Sequence, residues 1–169
     1  LRNNGGGLLN QSLKVTDLFL DEGKILSIKG RNPKNIKEFS ASVSSIKRNY
    51  PLVVLINGGS ASASEIVAGS LQDHKRALIL GTPSFGKGSV QTVETLRDGS
   101  GLKLTIARYY TPSGRSIQAK GIEPDIFLKH RILDPEESRV SEDGLLKEKD
   151  LANHLEAEPS EIEDEEDEG

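Results

Sequence analysis

The sequence predicts a mixed α/β domain in which helices pack against β-sheet in layers. Two apolar runs rich in branched residues, 51–56 and 77–80, have the length and composition of buried strands. A helical pattern at 62–74 lies between them. This alternation of strand and helix favours stacked layers. With 169 residues, the chain is long enough for one domain with a sizeable core.

The N-terminal part of the chain predicts one helix and two strands. Apolar residues recur at near-helical spacing over 8–20, which predicts an amphipathic helix. KILSIKG, at 24–30, alternates apolar and polar residues and predicts a short strand that ends at Gly30. The serine-rich stretch 31–50 predicts a loop with one weak strand at 38–43.

The C-terminal half predicts a hairpin, a long loop and a helix. Residues 89–96 and 101–111 are rich in branched and aromatic residues and flank Arg97-Asp98-Gly99-Ser100-Gly101, which predicts a β-hairpin. Prolines and glycines favour a loop over TPSGRSIQAKGIEPDIF. Residues 143–155 predict a terminal amphipathic helix whose apolar positions are Leu145, Leu146, Leu151 and Leu155.

The charge of the chain is unevenly distributed. Residues 156–169 hold nine of the 26 acidic residues and no basic one, which predicts a solvated, disordered tail. The remaining 155 residues carry 17 acidic and 22 basic side chains, without the clustering or aromatic interleaving that nucleic-acid binding would need. The absence of Cys excludes disulfides and thiol catalysis, and no apolar run is as long as a membrane helix. No metal site or cofactor is predicted.

Three alternating serines precede the central helix. Ser62-Ala63-Ser64-Glu65 matches a capping box, so a helix cap is the interpretation this window favours on its own. The same place would also suit a nucleophile, because amides at a helix N-terminus point at a developing oxyanion.

The histidines disfavour a Ser-His-Asp triad. His74 lies at the far end of the helix that begins near Ser62, roughly 18 Å away at 1.5 Å per residue. His130 and His154 lie away from the apolar core patterns. Lys87 is then the candidate base, and its amine could accept a proton only if it were desolvated and uncharged. A solvent-exposed side chain is the more common state of a lone lysine.

A phosphate-binding loop is the competing interpretation of the segment around Lys87. Gly81 to Lys87 matches G-x-x-x-x-G-K after a strand, but Gly88 stands where Ser or Thr should bind magnesium. The following residues alternate like a strand, whereas such a loop must open a helix. Both context tests fail, so we reject this motif.

A run of three glycines, at 5–7, lies near the start of the chain. Its backbone can adopt conformations that are closed to other residues. A flexible turn is the simpler interpretation, and an amide pocket for a carbonyl oxygen is the functional alternative.

Several motifs together resemble the carboxyl-terminal processing, or tail-specific, serine peptidases. They are LRNNGGGLL, NGGSASASEIVAGSLQDHKRALILGTPSFGKGSVQT, ARYYTPSGRSIQAKGIEPDI and EKDLANHLE, which cover residues 1–156 almost continuously. The resemblance implies a layered core of the ClpP/crotonase type. It also implies a catalytic pair of Ser62 and Lys87, with Gln91 orienting the lysine. The backbone amides of Gly6 and Ala63 would form the oxyanion hole.

One departure from the family pattern and one geometric condition stand out. Gly5 replaces the usual proline, which is expected to loosen the amide pocket. Gln91 would reach Lys87 only if the chain bends, because four extended residues span about 13 Å, and Gly88 would permit the bend.

The resemblance also implies parts beyond this chain. The chain lacks Met and starts inside the glycine motif, so Leu1 is expected to be an internal position. An upstream PDZ domain, a helical region and a strand before Leu1 are expected in the full-length protein. Periplasm or cell envelope is the implied location, and a homo-oligomer is compatible with the family.

The resulting prediction is a serine endopeptidase that cleaves polypeptides near their C-termini through an acyl-enzyme. The domain boundaries are a truncated peptidase core at 1–128, a linker and helix packed on it at 129–155, and the acidic tail at 156–169. A non-catalytic peptide-binding or scaffold module is the alternative. A crotonase-like acyl-CoA enzyme is weaker because it explains neither Lys87 nor Gln91.

Overall fold

The computed structural model describes residues 1–32, 34–43, 48–129 and 146–156. Three strands form a parallel sheet and four form an antiparallel sheet. This confirms the predicted α/β class, with the two strand directions divided between separate sheets. In chain order the elements are α1 (Leu9–Asp17), β1 (Lys24–Gly30), β2 (Ile36–Ser40), β3 (Val53–Ile56), α2 (Ala63–Asp73), β4 (Leu78–Gly81), β5 (Ser89–Thr95), β6 (Gly101–Tyr110), β7 (Ile126–Phe127) and a 3-10 helix (Glu148–Asp150).

The parallel sheet, in the order β3-β4-β7, positions the candidate site. Along β3, Val54 and Ile56 are buried while Val53 and Leu55 are about half exposed, so one face packs on the core. Helix α2 returns the chain from β3 to β4 and is buried over residues 63–71. Because β3 and β4 run parallel, the loops that follow them leave the same edge of the sheet. The start of α2 and the loop around Lys87 therefore lie at one edge.

The antiparallel sheet has the order β2-β1-β6-β5. Strands β5 and β6 pair from Ser89–Arg108 to Thr95–Gly101, which confirms the predicted hairpin. The register shifts between Val90 and Gln91, at the end of β5 nearest the candidate site.

Two strands differ from their predicted positions. Strand β2 is Ile36–Ser40, offset from the predicted 38–43. Strand β7 lies in a stretch predicted as loop, where it pairs in parallel with β4. The Asp125 carboxylate holds it there by accepting the Ile79 N–H at 2.7 Å. A two-residue strand is too short for a sequence pattern to reveal.

The predicted terminal helix is wrong within the described residues. Only Glu148–Asp150 are helical there, as a 3-10 helix, and the flanking Lys147 and Leu151 are extended. The Glu148 N–H donates to the Phe85 carbonyl at 3.2 Å, so contacts with the core replace a regular helix. Residues 143–145, His130 and the acidic tail after Glu156 lie outside the described residues. The three domain boundaries stay predictions.

No helix in the described ranges is both long enough and apolar enough to cross a lipid bilayer.

Candidate active site

Ser62 stands at the N-cap of α2 in a backbone conformation that is rare for a residue with a side chain. Its φ is +55° and its ψ is −115°. Such strain at a strand-to-helix turn is how some folds present a nucleophilic serine. Of the three alternating serines, Ser60 and Ser64 are 0% and 3% exposed, whereas Ser62 is half-buried. Ser62 is therefore the serine that a substrate could reach.

Glu65 uses its side chain for more than the predicted helix cap. Its Oε2 accepts the Ser62 N–H at 2.6 Å, which is one half of a capping box. The Glu65 N–H in turn donates to the Ser62 carbonyl oxygen at 2.9 Å. These bonds at the helix start use the backbone N–H and carbonyl oxygen of Ser62, so the two roles foreseen for this serine are compatible.

The same carboxylate also binds the loop that contains Lys87. Its Oε1 accepts the Ser84 hydroxyl at 2.6 Å and the Gly86 N–H at 2.7 Å. Its Oε2 accepts the Lys87 N–H at 2.9 Å. One oxygen atom thus accepts the backbone N–H groups of both Ser62 and Lys87. The Lys87 residue is half-buried.

Burial and hydrogen bonding act in opposite directions on Glu65. The residue is 0% exposed, and burial raises the pKa of its carboxyl above the usual value. The four hydrogen bonds that it accepts oppose this rise because each donor stabilises the ionised form. A protonated carboxyl would have to give up one of these donors.

Gly6 packs directly against the start of α2. A Cβ there would lie 2.7 Å from the Ala61 carbonyl oxygen and 2.8 Å from the Ala63 nitrogen, and φ is +96°. Only glycine fits both the conformation and the contact. The Ala61 N–H also donates to the Asn4 carbonyl oxygen at 3.0 Å, which connects the glycine loop to the residues that precede Ser62.

The two amides expected to form an oxyanion hole differ in their hydrogen-bond partners. The Ala63 N–H lies in the first turn of α2, where amides lack an intrahelical partner, and none of the described residues accepts it. The Gly6 N–H donates to the Asn4 side-chain oxygen at 3.0 Å. Ala63 thus offers an available donor, whereas Gly6 would have to exchange Asn4 for the substrate.

Gln91 is not brought to Lys87 in this structure. It lies on β5 with an exposed side chain, opposite Thr105 of β6. Across the described ranges, no hydrogen bond joins its side chain to Lys87. The resemblance-based role of Gln91 stays a prediction.

Within the described ranges, neither His74 nor His154 makes a hydrogen bond with Ser62. His74 is the C-cap of α2, and its Nε2 is 2.6 Å from the Lys24 carbonyl oxygen. His154 contacts the Leu151 carbonyl oxygen through Nδ1 at 3.0 Å. Within the described part of the chain, no three His, Asp or Glu side chains form a group that could hold a metal ion.

The comparison with family models agrees with this arrangement. The model of Peptidase family S41 matches residues 1–128, which contain the glycine loop, Ser62, Lys87 and Gln91. The chain belongs to peptidase family S41. The resemblance to carboxyl-terminal processing peptidases, inferred from sequence motifs, is confirmed.

Known proteins similar to this S41 chain carry names that specify C-terminal processing. A carboxy-terminal-processing protease of Bartonella bacilliformis is 52% identical over 155 residues, which are 92% of this chain and 35% of that protein. A chloroplastic C-terminal processing peptidase of Tetradesmus obliquus is 46% identical over 79% of this chain and 28% of its own length. The chain thus spans about a third of the length of these relatives.

A solved structure shares the fold. The photosystem II D1 C-terminal processing protease superposes with a TM-score of 0.70 and 48% identity. The match covers 75% of this chain and 33% of that one.

Sequence reasoning missed the wider role of Glu65 in this S41 site. The S-x-x-E spacing signalled its bond to Ser62, which is local. Its bond to Lys87 spans 22 positions, and no pattern in the sequence announces it. The unusual property of Glu65 is that it is fully buried at a helix start, and this burial becomes visible only in the fold.

Proposed function

We propose that the protein is a serine endopeptidase in which Ser62 is the nucleophile and Lys87 the general base. The observation that carries this proposal is the shared acceptor Glu65 Oε2, which receives the backbone N–H groups of both residues. A nucleophile and a base must lie within reach of each other, and this carboxylate fixes their two backbones at one edge of the sheet.

The chemistry proceeds through an acyl-enzyme. The Ser62 hydroxyl oxygen attacks the carbonyl carbon of the scissile peptide while the Lys87 amine takes its proton. The tetrahedral intermediate collapses as the C–N bond breaks, and the Lys87 ammonium returns the proton to the leaving amine. Water then attacks the ester with Lys87 again as base, which releases the acid and restores Ser62.

The Ala63 N–H supports the negative oxygen of each tetrahedral intermediate. None of the described residues accepts this first-turn amide, which lies beside the nucleophile, where the helix dipole also favours negative charge. We assign Gly6 as the second donor, with its N–H released from Asn4 when substrate binds. We assign Gln91 to orient the Lys87 amine.

Family membership is the basis for proposing the substrate class, the cellular location and the partners. Cleavage near the C-termini of polypeptides is proposed because the similar proteins are named for C-terminal processing. A periplasmic or envelope location, an upstream PDZ domain and a homo-oligomer are proposed on the same resemblance.

Single substitutions in the full-length protein test this function. Ser62→Ala and Lys87→Ala should each reduce cleavage of an unfolded polypeptide by at least about 1,000-fold, with the fold intact. The exposed Ser42→Ala and Lys103→Ala serve as matched controls and should leave turnover unchanged. Retained cleavage in Lys87→Ala would refute the assignment of the base.

A non-catalytic peptide-binding module is the second candidate. Two observations favour it, namely the occupied Gly6 N–H and the exposed Gln91. A fluorophosphonate probe separates the candidates, because a working nucleophile should be labelled at Ser62, whereas a scaffold should stay unlabelled.

A further inference from the structure

Gln118 links two distant parts of the chain through one buried side chain. It lies between β6 and β7 and is 0% exposed. Its Oε1 accepts the N–H of Gly88, the residue that follows Lys87, at 3.0 Å. Its Nε2 donates to the Glu148 carboxylate at 3.2 Å and to the Leu155 carbonyl oxygen at 3.1 Å. Both ends of the amide are therefore bonded.

The backbone around Gln118 also contacts the Lys87 loop. The Ala119 N–H donates to the Gly86 carbonyl oxygen at 2.8 Å, on one side of Lys87. On the other side, a Cβ at Gly88 would lie 2.3 Å from the Gln118 nitrogen, so the two chains are in close contact. Only glycine at 88 permits this approach.

The C-terminal segment, residues 146–156, reaches the same loop. The Glu148 N–H donates directly to the Phe85 carbonyl oxygen at 3.2 Å. Through Gln118, Glu148 and Leu155 also act on Gly88. The segment is therefore attached both before and after Lys87.

We propose that residues 146–156 brace the loop that carries Lys87, with Gln118 as a positioning residue for that lysine. The inference rests on the proposed function, in which Lys87 is the base. Glycines flank Lys87 on both sides, so its backbone has more freedom than other sequences would allow. Hydrogen bonds from outside the loop must restrict it, because misplacing a catalytic group by about 1 Å can cost about 100-fold in rate. The brace supplies these bonds on the side of Gly88.

Truncation of the full-length protein tests the brace. A chain that ends after Glu156 keeps residues 146–156 and should keep its kcat. A chain that ends after residue 145 also loses the brace, and its kcat should fall by about 10-fold or more while KM changes little. Amide hydrogen exchange should become faster at Gly88 in the shorter chain alone. Equal kcat in the two truncated chains would overturn the proposal.

Side-chain variants cover the case in which the shorter chain fails to fold. Gln118→Leu has a similar size but neither accepts from Gly88 nor donates to Glu148, and it should lower kcat with faster exchange at Gly88. Glu148→Ala should lower kcat less, because Leu155 still accepts from Gln118. Gln72→Leu is the matched control, since Gln72 also makes three side-chain hydrogen bonds but contacts Arg115, Glu123 and Asp125.

The outcomes are separable from those of the proposed function. If Gln118→Leu keeps the kcat and the Gly88 exchange of the unmodified protein, the positioning role is wrong. If Gln72→Leu lowers kcat as much as Gln118→Leu, the effect is one of general stability and the brace is likewise refuted. If Lys87→Ala retains cleavage, the proposed function itself fails, whatever Gln118 does.

Discussion

The buried carboxylate of Glu65 accepts the backbone N–H of Lys87 at 2.9 Å, across 22 positions of sequence. The bond is made by the oxygen that also caps the helix beginning after Ser62. Glu65 thereby sets the relative position of the Ser62 and Lys87 loops, which are far apart in the sequence. This relationship makes Glu65 the residue on which the geometry of the site depends most directly.

Replacing Glu65 by Gln should therefore damage both stability and turnover. The new NH2 group would face N–H donors in place of an acceptor oxygen, leaving buried donors unpaired at a cost of about 1–3 kcal/mol. Urea unfolding should show that loss, and kcat should fall because the Ser62 and Lys87 loops separate. The exposed Glu22→Gln makes the same chemical change as a control and should alter neither quantity. Unchanged kcat in Glu65→Gln would contradict the role given to this carboxylate.

Neighbouring glycines should respond in opposite ways to alanine. At Gly5 a Cβ would meet nothing within 4 Å, so Gly5→Ala should stabilise the protein by about 0.4–1 kcal/mol through the unfolded state. At Gly6 the Cβ would collide with Ala61 and Ala63, so Gly6→Ala should destabilise the protein and lower kcat. Thermal unfolding and turnover of the two variants check this. Similar effects at both positions would show that the glycine loop does not pack as described.

The Asp73–Arg115 pair should make stability depend on acid pH. Burial raises the pKa of the Asp73 carboxyl, but hydrogen bonds with Thr111 and Ser113 and the charge of Arg115 outweigh burial and hold it below its usual value. Because the folded-state pKa is the lower one, the stabilising effect is present above about pH 4 and is lost as the pH falls through the folded-state value.

Asp73→Asn is the corresponding measurement. At pH 7 the variant should be less stable than the unmodified protein, and the difference in unfolding free energy should shrink as the pH is lowered below about 4. Urea unfolding at a series of pH values measures this difference. A difference that stays constant down to pH 2 would contradict the assigned ionised pair.

Gln91→Ala should separate turnover from stability. The side chain is exposed, so its removal should change the unfolding free energy by less than about 0.5 kcal/mol. Its proposed role toward Lys87 nevertheless requires kcat to fall. Steady-state kinetics with the exposed Thr95→Ala as a control would decide the point, and an unchanged kcat would remove Gln91 from the mechanism.

Much of the fold could be predicted because its elements leave local patterns. The strand, helix and strand between 51 and 81 form where apolar runs and a capping box indicated them. The terminal helix failed because its leucines suggested a regular period, whereas Glu148 and Leu155 are drawn into bonds with Phe85 and Gln118. Tertiary contacts overrode the local preference there.

The candidate site was predictable only in part. Sequence motifs singled out Ser62, Lys87, Gly6 and Ala63, and the structure brings Gly6 against Ala63 and ties Ser62 to Lys87 through Glu65. They did not reveal that Asn4 would occupy the Gly6 amide. Such a contact depends on the rotamer of one exposed side chain, which the sequence does not encode by itself.

The sequence by itself determined the α/β class, the hairpin and the membership of this chain in family S41, because periodicity, turn chemistry and motif order are properties of short segments. Only the tertiary structure decided which of three serines stays accessible and what surrounds the lysine loop. Glu65 and Gln118 hold that loop across separations of 22 and 30 residues. The partners of a buried polar side chain are set by how distant segments pack, and no local pattern contains that information.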